Sequence, residues 1–239
     1  MRTLLPQLRQ EQGADLVIAN GENAAGGIGI TPDTAEELFD CGVDIITTGN
    51  HVWHQKDIIP YLDGERPLIR PLNFPPGVPG RGYWVQEPVM VVNLVGRTFM
   101  GNYDCPFRAM DQLFEELTPR PPVIIVDFHG EATAEKMALG WYLDGRVSAV
   151  LGTHTHVGTV DTRILPRGTA FVSDIGMVGA ADSVIGDDTE AVIQRFLTML
   201  PHRLSVGKGN LVLNSVLVEV DEVSGYATAI ARVDRELKV

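Results

Sequence analysis

Cysteine is scarce. Cys41 and Cys105 are the only two in 239 residues, they stand far apart, and neither belongs to a CxxC pair. That leaves no basis for a disulfide framework or a thiolate zinc site. Both read as reduced, partly buried small residues of a cytoplasmic protein, and nothing in the sequence marks Cys105 as a nucleophile. Long apolar runs are also missing: none reaches membrane-spanning length, and the amino terminus has no signal-like apolar region, so no membrane is expected. Basic residues fall short of acidic ones, 19 Lys and Arg against 31 Asp and Glu, for a net charge of −12. Such a surface repels a polyphosphate backbone, which argues against long nucleic acids, while small anions can still be drawn to a cationic metal site. Like-charge blocks, linkers, repeats and low-complexity tracts are absent, so residues 1–239 are expected to form a single domain.

What is present is a regular alternation. Apolar runs over 15–19, 43–48, 89–95, 123–127 and 146–151 read as buried strands. Segments 1–12, 31–39, 56–62, 106–117, 132–143 and 189–200 read as helices. Residues 161–165 with 169–173, and 211–220 with 226–233, read as hairpins. The Pro- and Gly-rich 66–82 and the Gly-rich 174–187 read as loops. Strands that alternate with helices early and pair with each other late make an α/β fold.

Ligand-type residues gather where these strands end. Gly152-Thr-His-Thr-His156 comes directly after one strand. On an extended segment, histidines at i and i+2 face one side, and the carboxyl edge of an open α/β sheet is where ligands sit. A single histidine in such a place is more often a hydrogen-bonded structural residue. Here four separate strand ends deliver Glu22-Asn23, Asn50-His51, His129 and the pair His154 and His156. Mixed imidazole, carboxylate and amide donors suit Mn, Fe or Zn better than Mg or Ca. His54 and Trp53 read as packing or as neighbours of the site, and His202 as a surface residue. Arg70, Asn73 and Arg97 could meet a phosphate or a base, with ion pairing as the plainer role. The Gly26-Gly27-x-Gly29 run lacks dinucleotide-loop spacing.

In order, the chain contains Asn20-Gly-Glu-Asn23 with Ala24-Ala-Gly-Gly27, Gly49-Asn-His-Val-Trp-His54, Arg70-Pro-Leu-Asn73, Asn93-Leu-Val-Gly-Arg97, Asp127-Phe-His-Gly-Glu-Ala-Thr133, Gly152-Thr-His-Thr-His-Val157 and Asp182-Ser-Val-Ile-Gly186. This series resembles the calcineurin-like metallophosphoesterases, and within them the YmdB-like cyclic-nucleotide phosphodiesterases, over nearly the whole chain. The resemblance implies a four-layer α/β/β/α sandwich of two mixed sheets. It also implies two divalent or transition-metal ions, Fe or Mn foremost and Zn as an alternative. Glu22 would bridge them, Asn50, His129 and His154 would complete one, and Asn23 and His156 would bind the other. His51 would protonate the leaving oxygen. A metal pair about 3.5–4 Å apart clamps both oxygens of an in-line displacement and activates water as hydroxide, and imidazole suits a proton donor near neutral pH. The implied substrates are small cyclic nucleotides, 2′,3′-cyclic ones first, and the implied assembly is a homo-oligomer.

The family pattern begins with a strand ending in Gly-Asp, whose Asp binds the metal also held by Asn23 and His156. This chain opens inside the next helix of that pattern, so a first strand of roughly fifteen to twenty residues with its turn is expected to be missing. One metal would then bind well and the other poorly, with reduced activity. The second reading is accordingly a non-catalytic scaffold or regulatory module with an incomplete metal site; a third is a phosphomonoesterase or protein phosphatase on the same metals.

Overall fold

The computed structural model describes residues 1–238. Helix α1 (Leu4–Gln12) leads to strand β1 (Ile18–Asn20), α2 (Pro32–Asp40), β2 (Ile45–Thr47) and α3 (Ile58–Leu62). Next come β3 (Tyr83–Gln86), β4 (Val89–Val95), α4 (Pro106–Glu116), β5 (Val123–His129), α5 (Thr133–Leu143) and β6 (Ala149–Thr153). The chain then runs through β7 (Arg163–Ile164), β8 (Ala170–Val172), β9 (Val178–Ala180) and α6 (Thr189–Thr198). It finishes with β10 (Leu211–Leu213), β11 (Val216–Val220), β12 (Ala227–Arg232) and β13 (Arg235–Leu237). Among the described residues no helix is long and apolar enough to cross a membrane, and both cysteines are free.

A six-stranded mixed sheet, β3-β4-β5-β6-β8-β7, forms the centre of this α/β sandwich. β4, β5, β6 and β8 are parallel, and β3 and β7 close the two edges antiparallel. Parallel interior strands are covered on both faces, which is why 123–126, and 89–95 apart from Asn93, are continuous apolar runs. Alternation assigns each residue to a face. Met90, Val92, Val126 and Phe128 pack with Met110 and Leu113 of α4 and Leu139 of α5. Ile125, Leu151 and Ala170 point the other way and meet Val218 of β11 and Ile230 of β12. β1 and β2 pair in parallel beneath α1, α2 and α3, whose Leu5, Ala35 and Ile58 bury Ile46. A bridge from Ile46 to Leu68 and a hydrogen bond from Leu72 N to Asn93 O (2.8 Å) tie β2 to β4.

The second layer of strands consists of short antiparallel pieces. The run 211–220 reads as one strand; in the structure it divides at Asn214 and Ser215. β10 pairs with β9 and β13, and β11 pairs with β12. Side chains replace the ladder there: Asn214 Oδ1 accepts from Met177 N (3.3 Å), and Asp234 Oδ1 accepts from Ser215 N (2.9 Å). The loop expected over 174–187 contains β9, disguised by its central Gly179, and β3 had no signal of its own. β5 and β6 also run two residues beyond their apolar cores, so that Val95, His129 and Thr153 end three adjacent strands in register.

Gly140 lies inside α5, where Ala is the better helix former by about 1 kcal/mol. An added Cβ, however, would stand 2.5 Å from the Phe171 ring, and overpacking a core costs about 1–3 kcal/mol. Gly140→Ala is therefore expected to lower unfolding free energy by about 1–2 kcal/mol in denaturant titration. A stabilised variant would mean that α5 is not seated on Phe171.

Candidate metal centre

One buried carboxylate organises the carboxyl edge. Asp127, in β5, accepts hydrogen bonds from Asn20 Nδ2 (2.9 Å), Thr153 Oγ1 (2.7 Å) and Thr47 Oγ1. Those three residues end β1, β6 and β2. Fixing four strand ends to one side chain also fixes the residues just beyond them: Glu22, Asn50 and His51, His129, and His154. Burial pushes the Asp127 carboxyl up, against the lowering influence of His129 and of its three donors.

The convergence is tight. His129 Nε2 stands 2.6 Å from Glu22 Oε2, 3.1 Å from Asn50 Oδ1 and 3.1 Å from His154 Nδ1. Donor atoms at about 2.1 Å from one metal lie about 3.0 Å apart at right angles, so this spacing fits one coordination shell. Glu22, His129 and His154 each offer a ligand atom within 4.8 Å of the others. Burial raises the Glu22 carboxyl, but the adjacent His129 and the His51 N–H (2.7 Å from Oε1) outweigh it and hold the group at about 2. The approach is possible because residue 49 is glycine: a Cβ there would overlap the His129 ring and stand 2.5 Å from Glu22 Oε1.

The outer hydrogen bonds of the histidines decide where their lone pairs point. Thr153 gives its proton to Asp127 (2.7 Å) and so accepts from His129 Nδ1 (3.0 Å). Glu131 Oε2 accepts from His154 Nε2 (3.0 Å). The Ile185 carbonyl accepts from His156 Nδ1 (2.7 Å). That leaves His129 Nε2 and His154 Nδ1 as the inner nitrogens, 3.1 Å apart, with His129 Nε2 against the Glu22 and Asn50 oxygens; these two nitrogens would be the ligand atoms of a bound metal. Outer acceptors of this kind orient imidazoles for metals.

Residues 1–233 match the YmdB-like protein family. This chain belongs to that family. It is similar to a 2′,3′-cyclic-nucleotide 2′-phosphodiesterase of Bacillus subtilis (strain 168), 46% identical over 237 residues that span 98% of this chain and 90% of that one. A crystal structure of a hypothetical protein from Thermus thermophilus superposes with a TM-score of 0.91 at 43% identity, covering 97% of this chain and 91% of that one. The structure of a phosphatase from Mycoplasma pneumoniae superposes at 0.92 with 33% identity, covering 99% and 88%.

The histidine pair of this YmdB-like protein does not behave as an extended segment. His154 and His156 have φ of 107° and 67°, so the two-residue alternation is broken and the rings diverge: His154 turns to His129, and His156 to Asn23, whose Nδ2 is 3.1 Å from its Nε2. Positive φ at a non-glycine residue costs about 1–3 kcal/mol and persists only where its surroundings impose it. Here Asp174 imposes it, accepting from Thr155 N (3.0 Å) and Oγ1 (2.8 Å) and pairing with Lys136 (2.8 Å). Both charges of that pair are 2% exposed.

Of the seven expected site residues, Glu22, Asn50, His129 and His154 join by direct contacts, Asn23 and His156 form a separate pair, and His51 links the two groups through its N–H to Glu22 and through Nδ1, 3.4 Å from Asn23 Oδ1. Burial lowers the His51 pKa; Glu22 opposes this, and His54, His129 and His156 add to it. His54 packs edge-on to His51 at 5.2 Å, and His202 is exposed. Arg70 and Asn73 are committed to the backbone: Arg70 donates to the carbonyls of Pro71 and Gly80, and Asn73 to those of Val95 and Asp104. Glu131, Asp127 and the Lys136–Asp174 pair were not singled out in the sequence. An acid inside an apolar strand is a signal for Asp127; Lys136 on a helix gives none.

Gly49→Ala is expected to keep the fold yet weaken Mn uptake at least tenfold in competition with a chelator, because Glu22 and His129 can no longer share one point. Unchanged affinity would place metal binding elsewhere.

Proposed function

We propose that this chain is a metal-dependent phosphodiesterase of small cyclic nucleotides, with 2′,3′-cyclic nucleotides as the first substrates, and that it works with two metal ions, Fe or Mn foremost. The observation that carries this reading is the convergence of His129 and His154 with buried Glu22 and half-buried Asn50 at the sheet edge; the family and the names of the relatives support the ester class. Glu22, Asn50, His129 and His154 would hold one ion. Glu22, Asn23 and His156 would hold the other, which requires the Asn23 amide to present its oxygen in place of the Nδ2 now facing His156. When bound, the ions supply positive charge to the phosphoryl oxygens and lower the pKa of the attacking water.

The chain's own groups do the rest. Glu22 would offset the charge of the ions, whereas the two amides would bind without adding any. Once the Asn23 amide turns, its Nδ2 rather than its Oδ1 faces His51 Nδ1, so Nδ1 accepts and Nε2 carries the proton to be transferred. The phosphate anion of an arriving substrate raises the His51 pKa against the lowering by burial. Water adds to phosphorus, one ribose–oxygen bond to phosphorus breaks, and the freed oxygen takes the His51 proton, giving a nucleoside monophosphate. The acidic surface keeps the substrate class small.

With Mn added, the protein is expected to hydrolyse 2′,3′-cyclic AMP in preference to phosphomonoesters. EDTA should abolish turnover and Mn restore it. His51→Ala should lower kcat by about 10²–10⁴ without changing metal content. Metal uptake with no diester turnover would favour the scaffold reading, and full activity of His51→Ala would remove the acid assigned here.

A further inference from the structure

An open surface depression of about 510 Å³ is lined by Arg97, Thr98, Gly101, Asn102, Tyr103 and Glu135. Ligand cavities commonly fall between about 300 and 1,000 Å³. It lies next to the same sheet edge, since Arg97 of its lining directly follows Gly96, whose N–H donates to the His129 carbonyl (2.9 Å). Its backbone is fixed: Glu135 accepts from the N–H groups of Arg97 (3.0 Å) and Thr98 (3.0 Å). Its one aromatic wall is rigid as well, because Tyr103 stacks on Phe74 with centroids 5.2 Å apart and planes 7° from parallel. Tyr103 also lies within the field of the cluster: burial first, and then the charge of Glu22, raise its hydroxyl pKa.

Two polar side chains here are uncommitted. Among the described residues the Arg97 guanidinium and the Asn102 amide have no hydrogen bond or ion pair, unlike Arg70 and Asn73. A free guanidinium, a free amide with both donor and acceptor, and an aromatic wall match a heteroaromatic ring with a polar edge. An apolar ligand would leave those groups unpaired. We propose that this depression is the nucleoside subsite, in which Arg97 and Asn102 hydrogen-bond the base or ribose while the phosphate lies at the histidine cluster. The proposal rests on the phosphodiesterase reading for the position of the phosphate.

Isothermal titration of the Mn-loaded protein with adenosine 3′-monophosphate and with inorganic phosphate tests it. The wild type should bind the nucleotide at least tenfold more tightly than phosphate. The double variant Arg97→Ala, Asn102→Ala changes two exposed side chains and should unfold at the wild-type temperature. It should lose at least tenfold on the nucleotide and markedly less on phosphate. Equal wild-type affinities for the two probes, unchanged nucleotide binding in the variant, or equal losses on both probes would overturn the subsite. Failure of the phosphodiesterase reading would look different: the expected binding pattern in the wild type, with no turnover of 2′,3′-cyclic AMP.

Discussion

The carboxylate of Asp127 holds together the strand ends from which everything chemical in this molecule departs. A carboxylate so deeply buried is tolerable only when its oxygens are fully engaged, and here the donors come from β1, β2 and β6 at once. Packing of apolar strands can set their spacing, but it leaves freedom to slide and splay at the ends. Hydrogen bonds to a single side chain remove that freedom where the ligand residues begin, so the backbone enters each of the adjoining loops from a fixed point.

From that anchor the control passes outward. The hydroxyl of Thr153 bonds both Asp127 and His129 Nδ1 and thereby sets that Nε2 is the ring nitrogen turned to Glu22. Glu131 and the Ile185 carbonyl do the same for His154 and His156. The Lys136–Asp174 pair, under the turn, holds two histidines in backbone conformations they would not adopt alone. Breaking such a buried pair by removing one partner is expensive, about 3–5 kcal/mol, so strain in the turn is sustained by a contact that is itself hard to lose. The inner edge of the site is thus rigid before any ion arrives, which is what a charge-stabilising site requires.

Much of this was legible in the residues. The apolar runs located the interior strands, and ligand-type residues immediately after them located the site, because parallel strands must end on one edge. What was hidden depended on partners distant in sequence. β9 and the split between β10 and β11 are set by Asn214, Met177 and Asp234, and no local periodicity encodes those contacts. The direction of the His154 and His156 rings depends on Asp174, nearly twenty residues away, so an argument from strand alternation pointed both rings the same way. Lys136 sits beside Glu135 near the start of α5, where a charge is ordinarily solvated, and only the tertiary fold encloses it.

The most direct measurement is anomalous diffraction from crystals soaked in Mn, recorded at the metal's absorption edge. The account predicts a strong peak bonded to Glu22, Asn50, His129 Nε2 and His154 Nδ1, with the outer nitrogens of those rings still held by Thr153 and Glu131. A peak elsewhere on the protein, with Glu22 and His129 remaining in contact and no metal between them, would contradict it.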